Sequence, residues 1–384
     1  MTGPGLPPLT LNSIEPLVYR VPLQTPVRTS FGIMHDRPAL LLRVRGDDQL
    51  EGWGEVWCNF PAVGAEHRAR LMESVLAPMA TGRVWRTPQV LFEALTRQTA
   101  VLAIQSGEPG PIAQAIAGLD MAVWDLLARR EGQPLWRLLG GSVDRIRVYA
   151  SGLNPVDPEV LAAQRQAEGH TAFKLKVGFG AEQDLDNLRR LRGRLGDGAT
   201  LMVDANQAWT REAATRFIPQ LAPFNLAWLE EPLRADTAWF EWQSLQAVSD
   251  IPLAAGENVA GSEGFDAAVS AGALSVVQPD LAKWGGFSGC LPVAGRILQA
   301  GLQFCPHYLG GGVGLLASGH LLAAAGGDGM LEIDANPNPL RTLLWGPLAT
   351  VHNGYAALGA APGLGCVPDL DAIEPYRASF SPTN

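Results

Sequence analysis

After Gly140-Gly141 the sequence settles into short apolar runs that alternate with helical stretches. The runs cover residues 146–150, 172–177, 200–204, 227–230, 252–257, 275–280, 303–307 and 330–333. Eight βα units constrain this chain more than any other feature, because they close into a parallel (β/α) barrel with active-site groups at the carboxyl ends of the strands. The stretch 171–206 shows the unit most clearly. Lys174-Leu175-Lys176 ends one run and Val203-Asp204-Ala205-Asn206 the next, with an amphipathic helical stretch, 184–195, between them. Side chains in a strand alternate faces, so Lys174 and Lys176 point the same way, as do Asp204 and Asn206.

The residues before the barrel follow a different grammar. Runs at 14–21, 39–45 and 51–57 alternate like an antiparallel sheet, with Gly46-Asp47-Asp48 as a turn and 22–38 as a long loop. A second loop carries Cys58, Phe60, Pro61 and Gly64. From 67 to 139 the pattern is helical, and Ile112, Ile116, Leu119, Val123 and Leu127 keep a helical period. These features predict an α+β capping domain, 1–140, completed by the Pro- and Gly-rich segment 353–384, on a barrel spanning 141–352. A chain of 384 residues with 47% hydrophobic residues has ample material for two cores.

Composition narrows the partners. A net charge of −9 without a Lys/Arg cluster argues against nucleic acid or an anionic membrane. The four cysteines show no CxxC spacing, so neither a zinc site nor a disulfide framework is expected. Residues 1–10 lack the charged leader and apolar core of a signal peptide. The most apolar helical stretch, 313–325, is too short to span a membrane and holds His320. The expectation is a soluble, cytoplasmic protein.

Taken in order, the barrel runs end in polar groups. Lys174 and Lys176 end the second, Asp204 and Asn206 the third, Glu230-Glu231-Pro232 the fourth and Gly256-Glu257-Asn258 the fifth. Gln278-Pro279-Asp280, Pro306-His307 and Glu332 end the last three. One acidic residue at a strand end is an ordinary helix cap or solvated turn; a ring of ionisable groups at one barrel mouth reads as a site. Asp204, Glu230 and Glu257 come from adjacent strands and supply only hard oxygen ligands, which favours magnesium over zinc. Asp280 can orient His307 and raise its basicity. Lys176 and His307 then stand on opposite sides of the metal, an arrangement suited to removing the proton beside a substrate carboxylate. A positioned base contributes about 3–5 kcal/mol, against about 8–23 kcal/mol for whole enzymes. The enediolate therefore needs further stabilisation, from the metal, from Lys174 and from a protonated Glu332. Lys176 must be neutral to act, and Lys174 and the cation would both lower its pKa.

These motifs resemble the enolase superfamily and, within it, the mandelate racemase subgroup. The likeness runs from Gly52-Trp53-Gly54-Glu55 through Lys-x-Lys, Asp-Ala-Asn, Glu-Glu-Pro, Gly-Glu-Asn and Gln-Pro-Asp, with Gly285-Gly286 following, to His307 and Glu332. It implies a modified, enolase-like TIM-type barrel under an α+β cap, with magnesium on Asp204, Glu230 and Glu257. Lys176 would be one base and His307, paired with Asp280, the other. Lys174 and Glu332 would hold the substrate carboxylate and the developing enediolate. In the branches resembling muconate cycloisomerase or dipeptide epimerases a catalytic lysine stands five residues before the Gly-Gly pair; here Asp280 does. Lys283 is expected beyond the strand end and outside the site. The Gly310–Gly314 run lacks the Lys-Ser/Thr of a phosphate loop and is expected to be a close turn into the next helix.

Loops of the first domain are expected to close over the mouth. Arg28 and Ser30 in one loop, Trp57 and Phe60 in the other, and Asn206 in the barrel are the candidate substrate contacts. The leading expectation is a magnesium-dependent dehydratase that converts an acid sugar to a 2-keto-3-deoxy acid. The alternative is a racemase or epimerase of an α-substituted carboxylate, and a barrel kept only for binding is a third reading. A small-molecule carboxylate is the expected partner, and the resemblance implies a homo-oligomer, from dimer to octamer.

Overall fold

The computed structural model describes residues 7–28 and 32–380. Strands β1 (Leu9–Arg28), β2 (Ile33–Gly46), β3 (Glu51–Val56) and β4 (Val84–Trp85) form an antiparallel sheet in the order β3-β2-β1-β4. Alternation assigns its faces. Leu17, Tyr19, Val21, Ala39 and Leu41 join the large core shared with the barrel, whereas Val18, Leu40, Leu42 and Val44 pack on Ile112, Ile116, Leu119 and Val123 of the Pro109–Arg130 helix. Burial on both faces explains the unbroken apolar run 39–42.

The expected loop at 22–38 is instead an extended hairpin. β1 and β2 pair from Leu11↔Gly46 to Arg28↔Ile33, with a register shift between Pro22 and Val27. The prolines are tolerated because β4 covers only Leu9 and Thr10 and the C-terminal segment only Val18 and Tyr19, which leaves β1 at Pro22 and Pro26 a one-sided edge strand.

Close backbone approach fixes β3 on the long helix. A Cβ at Gly54 would sit 2.2 Å from the Gly118 carbonyl oxygen, and one at Gly52 2.2 Å from that of Ala122. Gly54→Ala is therefore expected to lower stability by about 3 kcal/mol, the upper end of overpacking costs. Thermal unfolding checks it; an unchanged Tm would refute the tight-contact account. The Pro109–Arg130 helix is long and apolar enough to cross a membrane by composition, but 89% of its most apolar window is buried inside the fold, as in a core helix.

The barrel strands are β5 (Arg145–Leu153), β6 (Ala172–Lys176), β7 (Thr200–Asp204), β8 (Leu226–Glu230), β9 (Leu253–Ala255), β10 (Val276–Val277), β11 (Gln303–Phe304) and β12 (Met330–Asp334). All eight coincide with the runs expected from the sequence. They are parallel in the order β11-β10-β9-β8-β7-β6-β5-β12, a nearly closed ring. At the remaining seam, Met330 N–H meets Cys305 Sγ at 3.4 Å. The segment after 353 touches both domains. Strand β13 (Tyr355–Ala357) pairs antiparallel with β5, and Ala378 N–H donates to Val18 O at 2.9 Å.

The barrel interior is layered by the two-residue period of its strands. Tyr149, Ala172, Met202, Trp228, Ala254, Val276, Cys305 and Met330, one per strand, form a separate apolar plug. Two residues further on, each strand presents its next inward side chain: Ser151, Lys174, Asp204, Glu230, Gln278, His307 and Glu332, with Gly256 as the gap. That second layer is the floor of the mouth.

Candidate active site

Each carboxylate of the expected metal set meets a different cation. Lys176 Nζ lies 2.5 Å from Asp204 Oδ2, Lys174 Nζ 2.6 Å from Glu230 Oε1, and His307 Nε2 2.5 Å from Glu257 Oε2. Asp204 and Glu230 are register partners across β7 and β8. Glu257 reaches the mouth through Gly256, whose φ of +145° favours glycine and whose missing Cβ would sit 2.6 Å from Gln278 N. Asn206 braces Asp204, with its N–H 2.7 Å from Oδ1 and Nδ2 3.1 Å from Oδ2. Trp228 and Gln278 donate to Glu230 Oε2 at 3.2 and 2.6 Å.

His307 Nδ1 stands 2.7 Å from Asp280 Oδ2. A carboxylate accepts, so Nδ1 carries the hydrogen and Nε2 faces the mouth. Asp280 is itself fixed, because its Oδ1 accepts the Ala282 and Lys283 N–H groups at 2.9 and 3.2 Å. Burial works against a charged imidazole here, but Glu257, Glu332 and the Asp280 hydrogen bond outweigh it and lift its pKa well above the usual value.

One electrostatic expectation is corrected. Glu332 is not held protonated: burial pushes it up, yet Lys174, 2.9 Å away, and His307 lower it to about 2, helped by the Ser151 hydroxyl. For Lys176, burial and Lys174 act downward and Asp204 outweighs them, raising its pKa while that carboxylate is its direct partner; a cation held by Asp204 would act downward, as expected.

Lys283, expected outside the site, belongs to its rim. The Lys283 and Trp284 N–H groups both donate to Asp280 O at 3.1 Å, and this turn curls the chain back. Lys283 Nζ then lies 3.0 Å from Asn258 Oδ1, 3.7 Å from Glu257 Oε1 and 5.1 Å from the Trp57 ring centroid. Trp57 thus borders the mouth through Lys283. Phe60 lies against the tip of the hairpin, where a Cβ at Gly32 would be 3.5 Å from its ring. Ser30 and the Arg28 side chain lie outside the described residues. Ser151 gave no motif, although its register one layer above Tyr149 marks it as inward.

The Gly310–Gly314 run is filled from within, which suits a close turn and leaves no phosphate cradle. Glu55 of β3 accepts the Gly311 and Gly314 N–H groups at 2.5 and 2.9 Å. The Gly312–Ala325 helix starts there.

The donors fit a hard divalent cation by chemistry. Asp204, Glu230 and Glu257, with Glu332 beside them, and no sulfur face the mouth; Cys305 lies one layer down, its thiol pushed by burial to about 12. Gln278 Oε1 is a buried acceptor without a partner in the same layer. As the side chains stand, Lys176, Lys174 and His307 pair with Asp204, Glu230 and Glu257 one by one.

A capped parallel barrel whose mouth gathers two lysines, a histidine–aspartate pair and four further carboxylates has the build of an enolase-type enzyme. Residues 13–140 match the mandelate racemase/muconate lactonizing enzyme N-terminal domain and residues 159–372 the enolase C-terminal domain-like family, so the chain belongs to the mandelate racemase/muconate lactonizing enzyme family of the enolase superfamily. It is 32% identical to D-galactarolactone cycloisomerase of Agrobacterium fabrum, over 92% of this chain and 95% of that protein. It is 25% identical to arabinonate dehydratase of Saccharolobus solfataricus, over 89% and 91%. A family structure from Bordetella bronchiseptica superposes with a TM-score of 0.92 at 55% identity, covering 96% of this chain and 99% of that one. A racemase from Streptomyces coelicolor with bound magnesium gives 0.86 at 28% identity, over 96% and 100%. An enolase from Bradyrhizobium in complex with magnesium and mandelic acid gives 0.85 at 30%, over 97% and 99%.

Proposed function

We propose that this enzyme removes the α-proton of an acid sugar and expels the oxygen on the neighbouring carbon, giving a 2-keto-3-deoxy acid. The observation that carries this reading is the placement of Lys176 and His307. They stand on β6 and just past β11, five strands apart along the ladder, with Asp204, Glu230 and Glu257 on the strands between, and Asp280 fixes His307 at 2.7 Å. Asp204, Glu230 and Glu257 would hold magnesium, which when bound supplies a Lewis acid for substrate oxygens that gain charge. Lys176 or His307 takes the proton, and His307 Nε2–H returns one to the departing 3-hydroxyl. Lys174 meets the enediolate charge with its ammonium. Glu332, as a carboxylate, holds that ammonium in place, which departs from its expected role as a donor to the substrate.

The same steps applied to a β-oxygen that is part of a ring would open the ring, and the cycloisomerase relative makes that variant worth including. The second reading, a racemase or epimerase with the two bases on opposite faces, draws support from the racemase neighbour. Proton NMR in deuterium oxide with magnesium, scanning aldonic and aldaric acids, their lactones and α-hydroxy acids, separates them. Loss of the α-proton with new 3-deoxy methylene signals is the expected result. Loss of the α-proton with inversion alone would replace dehydration by racemisation, and no exchange with any acid would refute the proposed substrate class.

A further inference from the structure

The histidine–aspartate pair stands past the two short strands β10 and β11, where the two units are tied by His307 N–H on Pro279 O at 3.1 Å, and β11 borders the seam that lacks a strand ladder. Both βα turns are gripped from the other domain by a buried carboxylate. Glu55 of β3 accepts Gly311 N–H at 2.5 Å and Gly314 N–H at 2.9 Å, and the Tyr308 hydroxyl also bonds to it. Tyr308 follows His307 directly, and its own N–H donates to Glu332 Oε2 at 3.3 Å. On the neighbouring unit, Asp120 of the Pro109–Arg130 helix accepts Ser288 N–H at 3.0 Å through Oδ2. A Cβ at Gly286 would lie 2.4 Å from that same oxygen, so the turn at 285–286 presses directly on Asp120. The chain from Asp280 to Gly286 is a continuous turn, with Trp284 N–H on Asp280 O at 3.1 Å and Gly286 N–H on Leu281 O at 3.0 Å.

We propose that Glu55 and Asp120 are positioning residues: the capping domain sets the orientation of the Asp280–His307 pair by holding the far ends of the two turns that carry it. Apolar side chains of similar volume would dock the domains without the cost of burying charge. Both carboxylates are 4% exposed or less, and burial raises the pKa of each, that of Asp120 to about 7. What the carboxylates add to apolar packing is directional hold on named N–H groups, in the two turns that follow Asp280 and His307. The inference rests on His307 being one of the bases.

The two contacts predict different tolerances. Both oxygens of Glu55 accept N–H groups, so Glu55→Gln points an amide N–H at a backbone N–H and breaks the grip. Asp120 Oδ1 has no partner, so Asp120→Asn can keep its oxygen on Ser288, whereas Asp120→Ala cannot. Full-length protein with isotope-labelled histidine and added magnesium reports the imidazole directly by NMR, with His307→Asn assigning the ring. In Glu55→Gln and Asp120→Ala the His307 signals are expected to move and its Nδ1–H to exchange at least about tenfold faster. His170 and His320 should stay unmoved, and Asp120→Asn should behave as wild type. Turnover that uses His307 should fall about 100-fold, as expected for a misplacement of about 1 Å. Unmoved His307 signals in either folded variant, or equal movement of all three histidines, would overturn the proposal. Since the ring signals need no substrate, silence in the acid screen would refute the proposed function while leaving this test standing.

Discussion

His307→Asn is expected to abolish dehydration while sparing α-proton exchange on the face served by Lys176. Asparagine keeps the size of the ring's inner half and a donor for Asp280 Oδ2, now 2.7 Å from Nδ1, but it cannot deliver a proton to a departing hydroxyl. Loss of a positioned acid or base costs about 10²–10⁴ in rate, about 3–5 kcal/mol of barrier. His307 is nearly buried, and its Nε2 neighbours are Glu257 and Glu332, 2.5 and 3.6 Å away. Neither takes over the acid role, because the cations that remain in the variant favour both as carboxylates. Burial raises the pKa of each, but Lys283 and Lys176 still act downward on Glu257, and Lys174 on Glu332, once the imidazole is gone. Lys176→Ala should show the complement, with exchange lost on its own face. Proton NMR in deuterium oxide reads exchange and product together on each variant. Dehydration by His307→Asn within a few-fold of wild type would remove His307 from the mechanism.

How much of this site the sequence displays depends on the distance over which each feature is determined. The barrel strands are legible because the two-residue period is local: the inward layer Ala172, Lys174, Lys176 and its counterpart Met202, Asp204, Asn206 can be written from the sequence alone. Their order follows because βα units are joined with one hand. The 22–38 hairpin is not legible, since whether Pro22 and Pro26 break a strand depends on which edge of β1 lacks a neighbour. Lys283 depends on a turn closing over Asp280. The charge state of Glu332 depends on Lys174, across β5 on another strand, and on His307, across the seam. The role of Glu55 depends on glycines at the far end of the chain. Local periodicity gives elements and layers; protonation states and grips between domains arise from pairs that only the fold brings together.

Lys174→Met is expected to cost about 3–5 kcal/mol of stability near pH 8, the cost of breaking a buried ion pair from one side. Lys174 is fully buried, its Nζ 2.6 and 2.7 Å from the two Glu230 oxygens, 2.9 Å from Glu332 Oε1 and 3.9 Å from Asp204 Oδ2. Methionine fills the volume but leaves these carboxylates facing one another in a dry layer. Burial already lifts Glu230 to about 7 against the downward pull of Lys174; without the lysine it would bind its proton more tightly still. The native variant then holds a proton that the unfolded chain, with its ordinary carboxyl, has released. The variant's stability should therefore fall as pH rises from about 4.5 through the raised pKa of Glu230. Glu332 acts in a lower window. In wild type its lowered pKa contributes stability above about 4.5 that is lost only as pH falls toward about 2, and the variant forfeits that contribution, already in full at about pH 5. The growth of the deficit between about pH 5 and pH 8 therefore comes from Glu230. Chemical denaturation at the two pH values, with chelator and with magnesium, tests this, and magnesium should stabilise the variant more than wild type because a cation shared by Asp204 and Glu230 would replace part of the missing charge. A deficit that does not grow from about pH 5 to pH 8 would show that Lys174 does not restrain the proton on Glu230, and equal stability near pH 8 would remove it from the charge balance of the site.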